Sequence, residues 1–363
     1  MIPGPVFASA PQRVYWEITR ACDLACRHCR AEAAPDPDRD ELSTAEGLAL
    51  LERLARFGQP APHLVLTGGD ALKRPDLFLL IERARALGLS VSVAPSATPL
   101  LTAEAIRGLR AAGVEAISLS LDGASAASHD ALRGVPGCFE RTLEAARTAR
   151  AEGLPFQVNT LVSRETLGDL PAIYDVVRGL GAQRWSLFFL ISVGRGTVLA
   201  PISARECEDL FSWLAGLPAG DGPVVTTTEA PHFRRVLLQK RKGSTAGRHA
   251  AGIRDGNGIM FISHTGEITP SGFFPLPTGR VRRDDPVTVY RESPVFRALR
   301  RVDLFGGRCG RCEFRGVCGG SRARAYAASG DPLGEDPLCA YEPGTGGPDR
   351  AREVAEAGLP RRQ

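Results

Sequence analysis

The chain has 363 residues, a length that suits one large domain or two of ordinary size. Hydrophobic residues make up 43%, which is enough to bury a core and excludes disordered and fibrous proteins. The formal net charge of +4 is a mild excess that requires no nucleic-acid partner.

The N-terminal residues have no basic stretch followed by an apolar one, so no signal peptide is predicted. The longest apolar run, around residues 187–193, is far shorter than the ~20 residues needed to cross a bilayer. We therefore expect a cytoplasmic protein without a membrane partner. In that reducing compartment, nine unevenly spaced cysteines indicate metal or redox chemistry more than disulfides.

Short β-rich runs alternate with helical patterns in the first 217 residues. Strands are predicted at residues 14–19, 63–67, 90–94, 116–121, 155–161 and 185–190. Helices are predicted at residues 44–57, 75–87, 102–112, 139–151, 170–180 and 204–214. Strands separated by such helices predict a parallel sheet, and six successive units favour a partial or full β/α barrel. In such a barrel the chemistry lies at the C-terminal ends of the strands.

The pattern changes after about residue 217. Two short runs at residues 258–264 and 267–269, joined by Thr265 and Gly266, predict a small hairpin. A segment rich in cysteine and arginine follows at residues 308–339. We therefore predict a core over residues 1–217, a second domain over residues 218–343 and a weakly ordered tail over residues 344–363.

Three cysteines follow the first predicted strand with the spacing Cys22-x3-Cys26-x2-Cys29. Three thiolates at this spacing can hold three irons of a 4Fe–4S cluster, which leaves the fourth iron open to a small chelating molecule. The alternatives are three unrelated thiols or a zinc site. A structural zinc site usually has four protein ligands, and His28 is the one further ligand nearby.

The stretch EITRACDLACRHCR at residues 17–30 closely resembles the signature of the radical S-adenosylmethionine (SAM) superfamily. The resemblance implies that SAM chelates the open iron through its amino and carboxylate groups. An electron from the reduced cluster then cleaves SAM to methionine and a 5′-deoxyadenosyl radical, which removes a hydrogen atom from the substrate. The residue before the third cysteine is commonly aromatic in this superfamily, and His28 can still stack on adenine.

Three further motifs, each after a predicted strand, agree with this resemblance. TGGD at residues 67–70 resembles the motif whose backbone carbonyls hold the amino group of SAM, and adjacent glycines permit that close approach. SLDG at residues 120–123 resembles a turn beside SAM, and GRG at residues 194–196 a turn on the adenine side. Taken singly, the Gly-Gly pair is usually only a turn, and Asp122 with Gly123 is equally compatible with an ordinary turn. The implied SAM-binding residues are His28, Gly68, Gly69, Asp70, Ser96, Ser120, Asp122, Asn159 and Arg195.

A second set of cysteines has the spacing Cys309-x2-Cys312-x5-Cys318, with Cys339 after a further x20. Four thiolates can fully ligate one site, and zinc is an alternative. The surrounding CGGSRARA and DPLC resemble the auxiliary-cluster extension called SPASM, whose relatives carry 4Fe–4S. Its upstream cysteines are absent here, and Ser321 stands where many relatives have cysteine. We therefore predict one auxiliary cluster, for electron transfer or structure, although the ligand count also allows an open site.

Together these motifs predict an α/β fold, a partial (β/α)6 TIM-like barrel with a small C-terminal auxiliary iron–sulfur domain. The expected cofactors are SAM and two 4Fe–4S clusters. Arginines near the second cysteine set either balance an anionic cluster or bind substrate carboxylates or phosphates.

The two remaining cysteines lie outside both sets. Cys207 falls in a helical pattern and is expected in the core. Cys138 lies at the entry to a helix after the fourth strand, near the predicted barrel mouth. It is either a semi-buried small residue or a hydrogen-atom donor to a substrate radical, which an epimerase needs. His232 and His264 are either structural residues or part of the cavity lining.

Within the superfamily, the sequence most resembles the branch that acts on haem and haem-d1 precursors. That resemblance implies a tetrapyrrole whose propionate arms lose hydrogen and then carbon dioxide. The alternatives are a radical epimerase or dehydrogenase of a sugar or antibiotic scaffold, a peptide-modifying enzyme, and an iron–sulfur electron carrier. The expected partners are a small-molecule substrate and a reductant such as flavodoxin or ferredoxin.

Overall fold

The computed structural model describes residues 7–218, 220, 222–240 and 252–344, so nearly all of the predicted tail lies outside the described residues. The strands are β1 (Arg13–Glu17), β2 (His63–Thr67), β3 (Val91–Val93), β4 (Ala116–Ser120), β5 (Phe156–Val162), β6 (Arg184–Phe189), β7 (Val224–Thr228), β8 (Ile259–Ile262), β9 (Glu267–Thr269) and β10 (Gly279–Arg280). The helices are α1 (Thr44–Ala55), α2 (Leu77–Ala86), α3 (Ala103–Ala111), α4 (Ala126–Arg133), α5 (Cys138–Ala151), α6 (Leu170–Leu180), α7 (Ala204–Gly216), α8 (Phe233–Lys240), α9 (Pro286–Glu292), α10 (Pro294–Arg300), α11 (Gly307–Arg311) and α12 (Arg322–Ser329).

All these strands join one sheet in the order β10-β9-β8-β1-β2-β3-β4-β5-β6-β7. Strands β1 to β7 pair in parallel with their neighbours in sequence. Helices cross over between them, because parallel strands need a connection that returns the chain to the same edge. The predicted α/β fold with a parallel sheet is confirmed, and each of the six predicted strands is present.

The sheet continues past residue 217, although the strand–helix alternation in the sequence ends there. Strand β7 extends the parallel array beside β6. Strand β8 pairs in parallel with β1, so that Trp16 lies opposite Ile262. The predicted hairpin is formed by β8 and β9, which are antiparallel. The proposed domain boundary at residue 217 therefore falls inside a continuous sheet, and the division into domains stays a prediction.

The main core lies between the sheet and its helices. Helix α1 begins with the capping box that its sequence indicates, in which the side chain of Ser43 accepts from the backbone N–H of Glu46. Its apolar face packs on β1, where Trp16 is fully buried. A Cβ atom on Gly47 would lie 2.9 Å from the Trp16 ring, so the helix backbone rests directly on the indole. Burial of one such large side chain stabilises the fold by about 3 kcal/mol.

A smaller apolar cluster lies after the sheet, around α10 and α12. The rings of Phe274 and Tyr326 pack there with their centroids 5.1 Å apart. None of the helices in the described ranges has the length and apolar character that crossing a bilayer requires.

Candidate functional site

A cleft of about 1120 Å³ opens at the C-terminal ends of the parallel strands. The loop after β1, the ends of β2 and β4 and the end of β6 all contribute to it, because parallel strands end on the same side of the sheet. The predicted site residues that line it are Cys22, Cys26, His28, Cys29, Gly68, Gly69, Ser96, Ser120, Asp122 and Asn159. Thus ten of the residues predicted around SAM and its cluster are brought together.

The three cysteines of the loop after β1 each receive a hydrogen bond at sulfur. The backbone N–H of Leu24 donates to Cys22 Sγ over 3.4 Å, and that of Ala33 to Cys29 Sγ over 3.4 Å. The guanidinium of Arg133 donates to Cys26 Sγ over 3.7 Å. Donors aimed at sulfur suit thiolates that hold an anionic cluster.

The donor set of the three thiols suits an iron–sulfur cluster. All three line the cleft. A structural zinc site usually has four protein ligands, whereas three thiolates can hold a 4Fe–4S cluster with one open iron.

The two glycines after β2 let that strand end against the cysteine loop. A Cβ atom on Gly69 would lie 2.4 Å from the carbonyl oxygen of Ala21, which no side chain could tolerate. The backbone N–H of Asp70 donates to that same carbonyl over 2.6 Å. The glycine pair thus positions the loop as well as one wall of the cleft.

Asp70 contributes to the site from outside the cleft lining. Its carboxylate accepts from Thr98 Oγ1 over 2.6 Å and from the backbone N–H of Ser96 over 3.2 Å. Burial raises the pKa of Asp70. Because the carboxylate already has these partners, a contact of Asp70 with SAM would have to come from its backbone. That contact stays a prediction.

Arg195 holds the cysteine loop rather than lining the cleft. Its Nε donates to the carbonyl of Cys26 and its Nη1 to the carbonyl of Ala33, each over 3.0 Å. Its backbone N–H donates to the carbonyl of Cys29 over 3.0 Å. The GRG turn therefore braces the loop, a role that its resemblance to an adenine-side turn did not indicate.

The floor of the cleft carries a buried group of charged and polar side chains. Asp122, only 2% exposed, forms an ion pair with Arg133 and accepts from the backbone N–H of Leu161 over 2.7 Å. Burial raises the pKa of Asp122, but the charge of Arg133 outweighs burial and holds that pKa below its usual value. Burial together with Arg133 lowers the pKa of His28 to about 4.

Two buried nitrogens of this floor have no hydrogen-bond partner within the described part of the chain, namely His28 Nδ1 and Arg133 Nε. Buried polar atoms are nearly always satisfied in folded proteins. Unsatisfied donors and acceptors beside a cleft therefore point to a polar ligand that binds against this floor.

Cys138 does not line the cleft itself but packs against the cysteine loop that does. Its thiol is 1% exposed and packs with Leu24 and Ala97 in an apolar cluster behind the cysteine loop. Burial raises the pKa of this thiol to about 11. Cys138 is thus buried beside the cysteine loop, and its role as a hydrogen-atom donor stays a prediction. Cys207 is fully buried, as expected.

An apolar wall faces the polar side of the cleft and was missed in the sequence. It contains Phe188, Ile191, Val193 and Phe273. The rings of Phe188 and Phe273 lie 6.3 Å apart, which joins the end of β6 to the segment after β9. Only the strand-end position of Phe188 could have indicated this role, since Phe273 comes from a distant part of the chain.

Arg30 also lines the cleft and was not predicted. Its Nη2 donates to Glu17 Oε2 over 2.7 Å, and its guanidinium lies 4.6 Å from the ring centroid of Phe261. Glu17 in turn lies 2.6 Å from Nδ1 of His264, which is thus a supporting residue. His232 lies elsewhere, fully buried with its Nε2 3.3 Å from the sulfur of Cys207.

The second set of cysteines surrounds a separate cavity of about 420 Å³, lined by Cys309, Cys312, Cys318 and Cys339. The buried Arg322 donates to Cys309 Sγ over 3.6 Å, and the backbone N–H of Gly320 to Cys318 Sγ over 3.4 Å. The two arginines of α12, Arg322 and Arg324, are both buried in this segment. The placement of Arg322 favours a role in balancing anionic sulfur, whereas Arg324 forms an ion pair with Asp336.

Comparison with known proteins places this geometry in context. Residues 16–177 match the profile of the Radical SAM superfamily. The chain is 40% identical to the AdoMet-dependent heme synthase of Nitratidesulfovibrio vulgaris, over 91% of this chain and 92% of that protein. It is 38% identical to the AdoMet-dependent heme synthase of Methanosarcina barkeri, over 93% and 98%. Identity to the pre-heme d1 synthase of Dinoroseobacter shibae is 30%, over 92% and 87%.

Solved structures with low sequence identity share the fold. SuiB of Streptococcus suis, bound to its precursor peptide SuiA, has a TM-score of 0.72 at 16% identity, over 92% of this chain and 76% of that one. The protein anSMEcpe with bound AdoMet has a TM-score of 0.66 at 15% identity, over 91% and 94%.

Proposed function

Since the chain belongs to the radical SAM superfamily, we propose that its substrate is an iron tetrapyrrole from whose propionate arms it removes hydrogen and carbon dioxide. That the protein is a radical SAM enzyme confirms the interpretation of its sequence motifs. The proposal for the substrate is supported by relatives named as heme and pre-heme d1 synthases. One observation supports it most: the same cleft is lined by the three cysteines and by the apolar wall.

The open cleft offers one polar side and one apolar side, which suit a cofactor and a large flat substrate respectively. The polar side, with Ser96, Ser120 and Asn159, suits the hydroxyl and carboxylate groups of SAM. The apolar wall around Phe188 and Phe273 suits the face of a macrocycle.

Each group of residues then has a distinct task. A 4Fe–4S cluster held by Cys22, Cys26 and Cys29, with SAM on its open iron, would supply the 5′-deoxyadenosyl radical. The apolar wall keeps water from the reacting carbon, which protects a radical from side reactions. Arg30, fixed by Glu17, offers a planar fork to one propionate carboxylate. Holding that carboxylate limits which hydrogen of the arm is within reach.

The balance of the reaction requires an electron acceptor. Conversion of a propionate arm to a vinyl group transfers one hydrogen atom to the 5′-deoxyadenosyl radical and releases carbon dioxide. One electron is left over and has to leave the substrate. The second set of cysteines offers a place for that electron.

The experiment that tests the substrate uses the anaerobically reconstituted protein with SAM, dithionite and an iron porphyrin that carries four propionates. We expect 5′-deoxyadenosine together with a product whose mass is lower by carbon dioxide and two hydrogens. The Cys26→Ala variant is the control and should form neither. If 5′-deoxyadenosine forms but the porphyrin is unchanged when an electron acceptor is present, the proposed substrate is wrong.

We further propose that Cys309, Cys312, Cys318 and Cys339 hold one auxiliary 4Fe–4S cluster. Their shared cavity and the donors aimed at two of the sulfurs support a cluster rather than free thiols. The reconstituted protein should contain about eight irons per chain, and the Cys318→Ala variant about four. One zinc per chain after expression, with about four irons, would instead identify a zinc site.

A flavodoxin or ferredoxin in the cytoplasm is the proposed reductant. All nine cysteines are free in the structure, which suits a reducing compartment. Reduction of the protein by purified flavodoxin, followed by the yield of 5′-deoxyadenosine, tests this partner.

A further inference from the structure

The C-terminal end of α4 docks on the loop that carries the first three cysteines. The backbone N–H of Arg27 donates to the carbonyl of Leu132 over 2.9 Å, and that of Ala25 to the carbonyl of Arg133 over 3.2 Å. Gly134 ends the helix with a φ of 72°, and a Cβ atom there would lie 2.7 Å from the carbonyl oxygen of Ala25. This helix end and the cysteine loop thus form one packed unit.

The side chain of Arg133 lies beneath that unit. Arg133 is 9% exposed, so its guanidinium charge is almost entirely removed from water. One nitrogen donates to Cys26 Sγ over 3.7 Å, and another forms the ion pair with Asp122. Removing a cation from water is costly unless its partners are anionic. The thiol of Cys26 becomes such a partner when it ligates iron.

A buried cation beside a ligating sulfur acts unequally on the two redox states of a cluster. Reduction adds one negative charge, and a guanidinium that donates to sulfur stabilises the more negative state. The low dielectric of the surroundings strengthens this difference. Hydrogen bonds to sulfur and local charge are among the factors that set iron–sulfur potentials.

We propose that Arg133 is a positioning residue that raises the reduction potential of the SAM-binding cluster through its bond to Cys26 Sγ. The role concerns the delivery of the first electron and holds whatever the substrate is. It also links the cluster to the SAM pocket, because the same guanidinium pairs with Asp122 on the cleft floor.

The matched control is Arg195, which supports the same loop without contacting sulfur. Its guanidinium donates to the carbonyls of Cys26 and Ala33. The Arg195→Gln variant therefore removes one positive charge and two loop contacts, while the Cys26 sulfur keeps its donor.

The test is an anaerobic redox titration of the reconstituted protein. The reduction of the SAM-binding cluster is monitored by EPR, and its signal is identified as the one that changes when SAM is added. Arg133→Gln should lower the equilibrium constant for reduction at least tenfold, which is 59 mV for a one-electron couple. Arg195→Gln should shift it much less. A shift in Arg133→Gln no larger than that in Arg195→Gln overturns the proposal.

A second variant covers the case in which Arg133→Gln fails to hold the cluster because Asp122 is left buried and unpaired. The double variant Asp122→Asn with Arg133→Gln removes both charges, and its potential should also fall below that of Arg195→Gln. If neither variant retains iron at the first site while Arg195→Gln does, Arg133 serves cluster retention, and the proposal is wrong.

Discussion

Arg30 is fixed at the cleft by two buried neighbours. Burial on its own raises the pKa of Glu17, but the charges of Arg30 and His264 outweigh burial and hold that pKa at about 2. The carboxylate is therefore ionised at neutral pH and keeps the guanidinium in one orientation. The ring of Phe261 packs against the Arg30 guanidinium. A cation held in this way loses little conformational entropy when it binds a carboxylate.

Replacing Arg30 by lysine should weaken binding of the substrate carboxylate. Loss of a two-point, charge-assisted contact is worth about 1.5 kcal/mol, so we expect the KM for the iron porphyrin to rise roughly tenfold. Cleavage of SAM without product formation should increase. Steady-state kinetics that follow both the porphyrin product and 5′-deoxyadenosine measure the rise in KM and the uncoupled cleavage of SAM. Arg27→Gln is the control, since Arg27 pairs with Glu165 on the surface and is 43% exposed. Equal effects of the two substitutions would contradict the assignment.

His129 should make the fold less stable as the pH falls from 7.5 to 5.5. Burial and the nearby Arg133 lower its pKa to about 4, whereas an unfolded histidine titrates near 6.5. Between those values the unfolded chain binds the extra proton, so stability decreases with acidification. The expected loss is about 1 kcal/mol for this residue over that range. Urea unfolding at both pH values measures it.

The variant His129→Gln provides the comparison. A glutamine oxygen can replace Nδ1 of His129 as the acceptor for the backbone N–H of Asp122, but it does not titrate. The difference in unfolding free energy between pH 7.5 and 5.5 should therefore be smaller in this variant. An unchanged pH dependence would show that His129 does not contribute.

At the scale of elements, the alternating strands and helices up to residue 217 could be predicted, because each depends on a pattern of neighbouring residues. Helix α4 was missed because it has only eight residues, which follow the SLDG turn after two intervening residues. Strand β7, VVTTT, is largely half-buried and lacks the apolar run of its neighbours. The pairing of β8 with β1 joins segments more than 240 positions apart, which no local pattern specifies.

The site was predictable to the extent that its chemistry lies in short motifs. The cysteine loop, the glycine pair and the SLDG turn could each be recognised from residue types and spacing within a few positions. The side-chain directions of Cys138, Asp70 and Arg195 depend on how neighbouring elements pack. The same is true of the contact between Arg30 and Glu17, because both residues also suit an ordinary exposed ion pair.

Gly69→Ala should disturb the first cluster and leave the second intact. The added methyl group would lie 2.4 Å from the carbonyl oxygen of Ala21 and 2.5 Å from that of Arg20, so the cysteine loop has to move. We expect the iron bound at the first site, and with it SAM cleavage, to fall at least tenfold.

Iron analysis and EPR of the reconstituted variant measure this effect. Gly179→Ala is the matched control, because a Cβ atom on Gly179 in α6 meets no atom within 4 Å. Alanine there should raise stability slightly, since glycine inside a helix costs up to about 1 kcal/mol. Normal iron content in Gly69→Ala would contradict the close packing of β2 on the loop.

For the whole molecule, the continuous sheet makes the two halves of the chain interdependent. One edge of β1 pairs with β8 along residues 13–16, and the side chains of Val14 and Trp16 in this strand are buried. A chain that ends at residue 217 lacks this partner and exposes the unpaired edge, which promotes aggregation.

We therefore expect the 1–217 fragment to be insoluble, whereas a chain that ends at residue 344 should match the full chain in solubility and iron content. Expression of both chains with analysis of the soluble fraction tests this. A soluble, monomeric 1–217 fragment with a bound cluster would show that the first half is an independent domain.

The pairing of β1 with β8 also sets an order of events during translation. The ribosome makes β1 among the first residues, but β8 follows some 240 residues later. At 5–20 residues per second that interval is on the order of tens of seconds. Throughout it, the nascent cysteine loop stays attached to a strand with one open flank. We therefore expect the first cluster to be loaded only after β8 has been made and has paired with β1.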